Sequence, residues 1–231
     1  MTGGAGDGLF RVEAARPLLV ARFAAPQRMV SWSINRPGFV TGREVAWLEV
    51  RNRDLTPDLD VLAWFRARLE AAGLGAAVGL MTSRNVDHHH LAWRGVEGVA
   101  AACLVTLGLN NGERVGARFS PAAAAHLAGT VNILAAVSVP LTEAALLEAS
   151  SVVVQARTRA ILEADFRREG LPEPVSGTGT DCVVMSAPAA GPAQPYAGLH
   201  TAVGEAVGAA ALAATRAAVA VWLADPARLV T

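Results

Sequence analysis

Thr130 and Asn132 interrupt an otherwise apolar run, Thr130–Val137, and their spacing of two puts both side chains on one face of a strand. A second polar cluster, Gly177-Thr-Gly-Thr-Asp181, sets two hydroxyls and a carboxylate just ahead of another apolar run, Cys182–Ser186. Asn110 and Asn111 follow the long apolar stretch Val99–Leu107. Tyr196-Ala-Gly-Leu-His200 leads into an Ala-rich segment that contains Glu205, and Asp87 precedes His88, His89 and His90. Hydroxyls, carboxylates and amides can supply nucleophiles, bases and hydrogen-bond donors.

Each cluster also has a structural use. Gly-Thr-Gly-Thr-Asp can be a turn held by its own side chains. Thr130 can be an ordinary β-branched strand residue, and Asn132 a satisfied core amide. His200 and Glu205 can be a helix cap and a solvated charge. His88–His90 reads as a polar surface loop, because adjacent residues on a strand face opposite sides.

Several chemistries are excluded or disfavoured. The chain of 231 residues has no Lys, so a catalytic or Schiff-base amine from Lys is ruled out. For the same reason Gly177-Thr-Gly-Thr is not a phosphate loop, and the segment after it reads as strand, not helix. Formal net charge is zero, which argues against a nucleic-acid partner. Hydrophobic residues are 52% and charged residues 17%, so the chain can bury a core and is not disordered. Cys103 and Cys182 lie far apart in apolar runs and read as buried free thiols. No signal peptide is visible at the Gly-rich start, Met1–Leu9. Ala206–Ala224 approaches the length of a membrane span, but Arg216 lies within it and Ala dominates. It reads as a buried or amphipathic helix. The expected location is the cytoplasm, with no membrane partner.

The elements that must position these groups alternate in type. Pro17–Phe23, Met29–Ile34 and Glu44–Val50 read as short strands bounded by Gly, Pro and Asn. Pro57–Ala72 reads as a helix with Thr56 as cap. Ala76–Thr82, Val99–Leu107, Thr130–Val137 and Cys182–Ser186 read as buried strands. Thr142–Glu169 and His200–Ala224 read as two long helices. Strands followed by long helices predict an α/β (α+β) fold, a layered sandwich of buried sheet covered by helices. A single domain over 1–231, with its core in 15–225, is expected. Because so much of the apolar content is Ala, the core must be large and close-packed.

In this order, several stretches resemble the adenosylcobinamide amidohydrolase family of corrinoid salvage. They are Val78-Gly-Leu-Met-Thr82, Thr106-Leu-Gly-Leu-Asn110, Gly129-Thr-Val-Asn-Ile133, Pro140-Leu-Thr-Glu-Ala144, Gly177–Asp181 and Tyr196–His200 with Gly204-Glu205. The resemblance covers about Ala76 to Ala224. Departures fall at Ser31–Gly38, at Asn111 and at His88–His90. The resemblance implies hydrolysis of the aminopropanol amide of adenosylcobinamide to adenosylcobyric acid. The corrinoid is then substrate, with no resident cofactor and no required metal. Trp32, Trp47 and Trp93 are candidates for lining a wide cleft, with core packing as the plainer use of each.

Gly129-Thr130 ahead of an apolar strand, with the long helix and Asp181 loop that follow, also shows a remote similarity to β-peptidyl aminopeptidases and ornithine acetyltransferases. Those proteins cleave themselves before a Ser or Thr. By that similarity Thr130 attacks, Asn110 or Asn132 serves the oxyanion, and Thr178, Thr180 and Asp181 complete the catalytic set. Tyr196, His200, Glu205 and Thr82 are the expected substrate-binding residues. An alternative scheme has a water activated by a metal or carboxylate, with Asp181, His200 and Glu205 as ligands. A non-catalytic corrinoid-binding protein and an acyltransferase are the competing functions. A homo-oligomer is open.

Overall fold

The computed structural model describes residues 8–51, 54–117, 129–170 and 172–226. Most of the Gly-rich start lies outside them, as does Leu171 at the expected end of the second helix. The strands are β1 (Arg11–Ala15), β2 (Leu18–Ser31), β3 (Gly38–Glu49), β4 (Val78–Thr82), β5 (His90–Val96), β6 (Val99–Leu107), β7 (Gly112–Glu113), β8 (Val131–Val137), β9 (Gly177–Thr178) and β10 (Cys182–Pro188). The helices are α1 (Val61–Ala71), α2 (Glu143–Glu163) and α3 (Ala202–Ala224).

Eight strands form one sheet in the order β4-β3-β2-β10-β8-β6-β5, with β1 added to β2. β3–β4 and β8–β10 are parallel pairs and the other pairings are antiparallel. The pairing of β2 with β3 slips between Arg22 and Gln27. Leu18–Arg22 then pairs with β1, and Gln27–Ser31 with β10. A bulge bends a strand, and here it doubles the sheet over. Leu19, Ala21, Val45, Trp47 and Leu80 from one half meet Leu104, Leu134, Ala136 and Val184 from the other in one buried cluster.

Helices cover both outer faces. α2 and α3 pack on the alternate side chains of β6, β8 and β10, among them Val105, Ile133 and Met185. Ala206, Ala210, Ala214 and Ala218 recur at four-residue spacing on the buried face of α3 and let it approach closely. α1 sets Phe65 and Leu69 against Ala46 and Leu48 of β3. Gly79 of β4 sits beneath it, where a Cβ would lie 2.7 Å from both Phe65 and Leu69. The layering is helix, sheet, sheet, helix, which is the expected α/β sandwich.

The core strands and both long helices follow the sequence pattern. Thr142 caps α2, accepting from the Ala145 N–H at 3.2 Å. Four details differ. The two runs expected at Pro17–Phe23 and Met29–Ile34 are one strand, β2, because Pro26 falls where the pairing slips. α1 begins at Val61, since Asp60, not Thr56, accepts from the Ala63 N–H at 3.0 Å. α2 stops at Glu163, because Asp165 turns left-handed (φ 48°) and Phe166 packs edge-on against Trp222 at 4.8 Å. β1 and β5 were not expected. β1 is mostly exposed, and β5 joins β6 through Glu97-Gly98, both at positive φ as a two-residue hairpin demands.

α3 is the described helix long and apolar enough to cross a membrane. Its face from Val203 to Trp222 is buried against the sheet and α2.

Candidate functional site

Register builds the site. Cys182 pairs with Asn132 in the parallel β8–β10 ladder, which places Asp181 beside Val131. Thr106 pairs with Asn132 in β6–β8, so the segment after β6 runs beside Gly129 and Thr130. The Gly108 N–H donates to the Thr130 carbonyl at 3.1 Å. Gly129 must be Gly, because a Cβ there would lie 2.7 Å from Asn111 Oδ1 and 2.9 Å from Gly108 O. The ends of β4, β8 and β10 and the β2–β3 connection enclose a cleft of about 530 Å³. Ile34, Val50, Leu55, Leu80 and Met81 make its apolar wall, and Thr130, Thr180, Asp181 and Asn132 its polar end.

At that end the Thr130 and Thr180 hydroxyls are 2.9 Å apart, and Thr180 Oγ1 donates to the Gly129 carbonyl at 3.1 Å. With its proton so committed, Thr180 accepts from Thr130. The Thr130 oxygen keeps its lone pairs free beside a polarised carbonyl.

Asp181 organises the backbone around this pair. Its Oδ1 accepts from the Val131 N–H at 3.2 Å, from the Thr178 N–H at 3.1 Å and from the Thr178 hydroxyl. Its Oδ2 meets Arg157 Nη1 of α2 at 2.9 Å. Burial raises the Asp181 carboxyl above its ordinary 3.8, and Arg157, Thr178 and Val131 pull the other way. Cys182, on the cleft wall, is pushed up to about 12 by burial and is a poor nucleophile. Cys103 is raised by the same cause, and both thiols are free and buried, as expected.

Of the predicted catalytic residues, Thr130, Thr180, Asp181 and Asn132 line the cleft. Thr178 stands behind Asp181 as its hydrogen-bond donor. Asn132 donates to the Met81 carbonyl at 2.6 Å and ties the two sheet halves together. Asn110 is not among the lining residues, whereas its neighbour Asn111 is. Asn111 Oδ1 is buried and has no hydrogen-bond partner among the described residues. Thr82 lines the cleft and accepts from the Arg84 N–H at 3.1 Å.

Tyr196, His200 and Glu205 do not join them. They sit where the chain enters α3, whose other end, at Trp222, approaches Gly108 near the cleft. The 17 residues from Glu205 to Trp222 rise about 25 Å. There the motif docks α3 onto α2. The Ala197 N–H donates to Glu148 Oε2 at 2.6 Å, and Thr201, not His200, caps the helix. A Cβ on Gly204 would overlap the Gly198 carbonyl, and one on Gly198 would lie 2.7 Å from Glu148 Oε1. Asp181, His200 and Glu205 are therefore not assembled as metal ligands. Among the described residues no group of three or more His, Cys, Asp or Glu is placed to hold a metal. His88 ends a short 3-10 turn, Val86–His88, and His90 begins β5, with His88 Nδ1 3.8 Å from Asp225.

Arg157 does not stand out in the sequence, and Asn111 stands out there only as the polar neighbour of Asn110, with no site role. Arg157 is a lone charge beside the buried face of α2, a signal without direction until Asp181 is beside it. Of the three tryptophans expected as cleft candidates, Trp32 lines the cleft, Trp47 is fully buried and Trp93 stacks on Phe10 at 5.6 Å.

A doubled sheet between helices, with paired hydroxyls and a buried carboxylate at its strand ends, defines a layered α/β protein equipped for chemistry at a carbonyl. The family model for adenosylcobinamide amidohydrolase matches residues 6–227, and the chain belongs to that family of amide hydrolases. A search of curated proteins finds no match. Solved structures similar to the chain include the PH0078 protein from Pyrococcus horikoshii OT3, at 9% identity and TM-score 0.47, covering 88% of this chain and 77% of that one. A β-aminopeptidase from Burkholderia sp. is similar at 14% identity and TM-score 0.47, covering 96% and 82%. At those values neither likeness bears on reaction or mechanism.

Proposed function

We propose that the protein hydrolyses the aminopropanol amide of adenosylcobinamide, releasing adenosylcobyric acid and aminopropanol. One observation carries the reading: in a chain of this family, the cleft ends on two hydroxyls 2.9 Å apart, Thr130 and Thr180. Thr130 Oγ1 attacks the substrate carbonyl, the C–N bond breaks, and the amine leaves with a proton. Water then hydrolyses the resulting ester. Asp181 is a positioning residue, since it holds the Val131 N–H and Thr178, not the reacting oxygen.

The reading extends to self-cleavage. The hydrogen bond from Thr180 to the Gly129 carbonyl polarises the peptide bond that Thr130 would attack. Cleavage frees the Thr130 amine, a base beside its own hydroxyl, where Thr180 supplies only another hydroxyl. The corrinoid is substrate, with no resident cofactor or metal, and the protein is cytoplasmic, without membrane or nucleic-acid partners.

The test is mass spectrometry of adenosylcobinamide after incubation with the protein. Loss of the aminopropanol arm supports the reading. Binding without loss leaves a corrinoid-binding protein, and products that depend on added amines mark an acyltransferase. A denaturing gel separates the self-cleaving version, which yields pieces of 129 and 102 residues from the 231, from an intact single band.

A further inference from the structure

The cleft is smaller than its proposed ligand. Sites of roughly 300–1,000 Å³ enclose drug-sized molecules, and this one measures about 530 Å³. A corrin macrocycle with its peripheral amides and an adenosyl ligand exceeds that, so the amide arm enters while the macrocycle stays at the mouth. There stand two exposed apolar side chains, Trp32 at 49% and Ile34 at 46% exposure.

Trp32 is exposed but fixed. Its indole Nε1–H donates to the Asp181 carbonyl at 2.6 Å. The connection that carries it is pinned on the other side by buried Asn35. Asn35 Nδ2 donates to the Ala77 carbonyl at 3.0 Å, and Asn35 Oδ1 accepts from the Gly79 N–H at 2.9 Å and the Ser33 hydroxyl at 3.0 Å. An aromatic ring already held in one orientation loses little further freedom when a ligand covers it. A flat apolar face at the cleft mouth suits it by area and by stacking.

We infer that Trp32 is the platform on which the flat macrocycle rests, and that its indole N–H couples that seating to the Asp181 strand. The inference rests on the proposed reaction and adds a specificity-determining residue to it. The two halves of the side chain have separable effects. Trp32→Ala removes ring and donor; Trp32→Phe keeps a ring and removes the donor.

The experiment measures kcat and KM for adenosylcobinamide, with Kd by equilibrium dialysis, for wild type, Trp32→Phe and Trp32→Ala. Trp32→Ala raises KM and Kd about tenfold, in line with a lost stacking and burial contact. Trp32→Phe holds KM and Kd within about threefold and lowers kcat by roughly fivefold, as loss of one positioning hydrogen bond does. Trp32→Ala with wild-type KM and Kd overturns the platform while leaving the hydrolase reading intact. Trp32→Phe as weak in binding as Trp32→Ala also overturns it. Wild-type protein that neither binds nor cleaves adenosylcobinamide sinks both proposals together.

Discussion

At its C-terminal end α3 lies beside the strand ends that carry Thr130, Thr180 and Asp181; at its N-terminal end it receives Tyr196–Glu205. Both regions are rich in Gly, hydroxyl and charged residues, and both resemble the family's motifs. At the first, Gly129 makes room for Asn111 and the Gly108 carbonyl, and two hydroxyls face a cleft. At the second, Gly198 and Gly204 make room for Glu148 and the chain's own carbonyls, and Tyr196 and Leu199 face solvent. A motif can therefore mark close backbone approach as readily as chemistry. What separates the two is whether the polar groups share a cavity.

The contrast breaks if turnover depends equally on both ends. Thr130→Ala should lower kcat about 10³-fold or more, read as aminopropanol release. Asp181→Asn should lower kcat roughly 10²-fold through misplaced backbone, with KM less affected. Gly204→Ala should cost about 2–3 kcal/mol in denaturant unfolding, while kcat/KM of the folded protein stays within about twofold. Tyr196→Ala and His200→Ala should leave kcat/KM within about twofold; a loss comparable to that of Asp181→Asn would return this region to the site.

Acid titration sharpens the comparison with a smaller effect. The folded chain holds the Asp181 proton to higher pH than the unfolded chain, because burial raises that carboxyl above 3.8. Its contribution to stability is present below that value and is lost as pH rises through the raised one. Glu163 is the reverse. Hydrogen bonds from Arg216 and Arg159 lower it from 4.5 to about 2, so its contribution is present above 4.5 and is lost as pH falls toward 2. Melting temperature against pH for Asp181→Asn and Glu163→Gln should lose opposite slopes. Glu163 is solvent-exposed, and its share should be the smaller.

Local pattern made much of the site legible. Val99–Leu107 is a strand over those same residues, and Thr142 caps the second helix, because burial on both faces and a capping hydroxyl leave direct marks on residue order. Thr130 and Asp181 were legible as polar groups at apolar strand starts. Arg157 was not, since an Arg on a helix face reads as solvated until the fold sets a carboxylate against it. Trp32 was ambiguous for a related reason: an aromatic beside a turn can serve a core as well as a cleft.

Residue order alone settled the alternation of strand and helix, the Ala-rich packing and the chemistry on offer, because periodicity, capping and residue type act over a few neighbouring positions. The fold had to settle which polar stretches meet. The register of Cys182 on Asn132 and the bend in β2 join groups fifty or more residues apart, and such contacts arise from competition among whole strands for partners, which no short window of sequence contains.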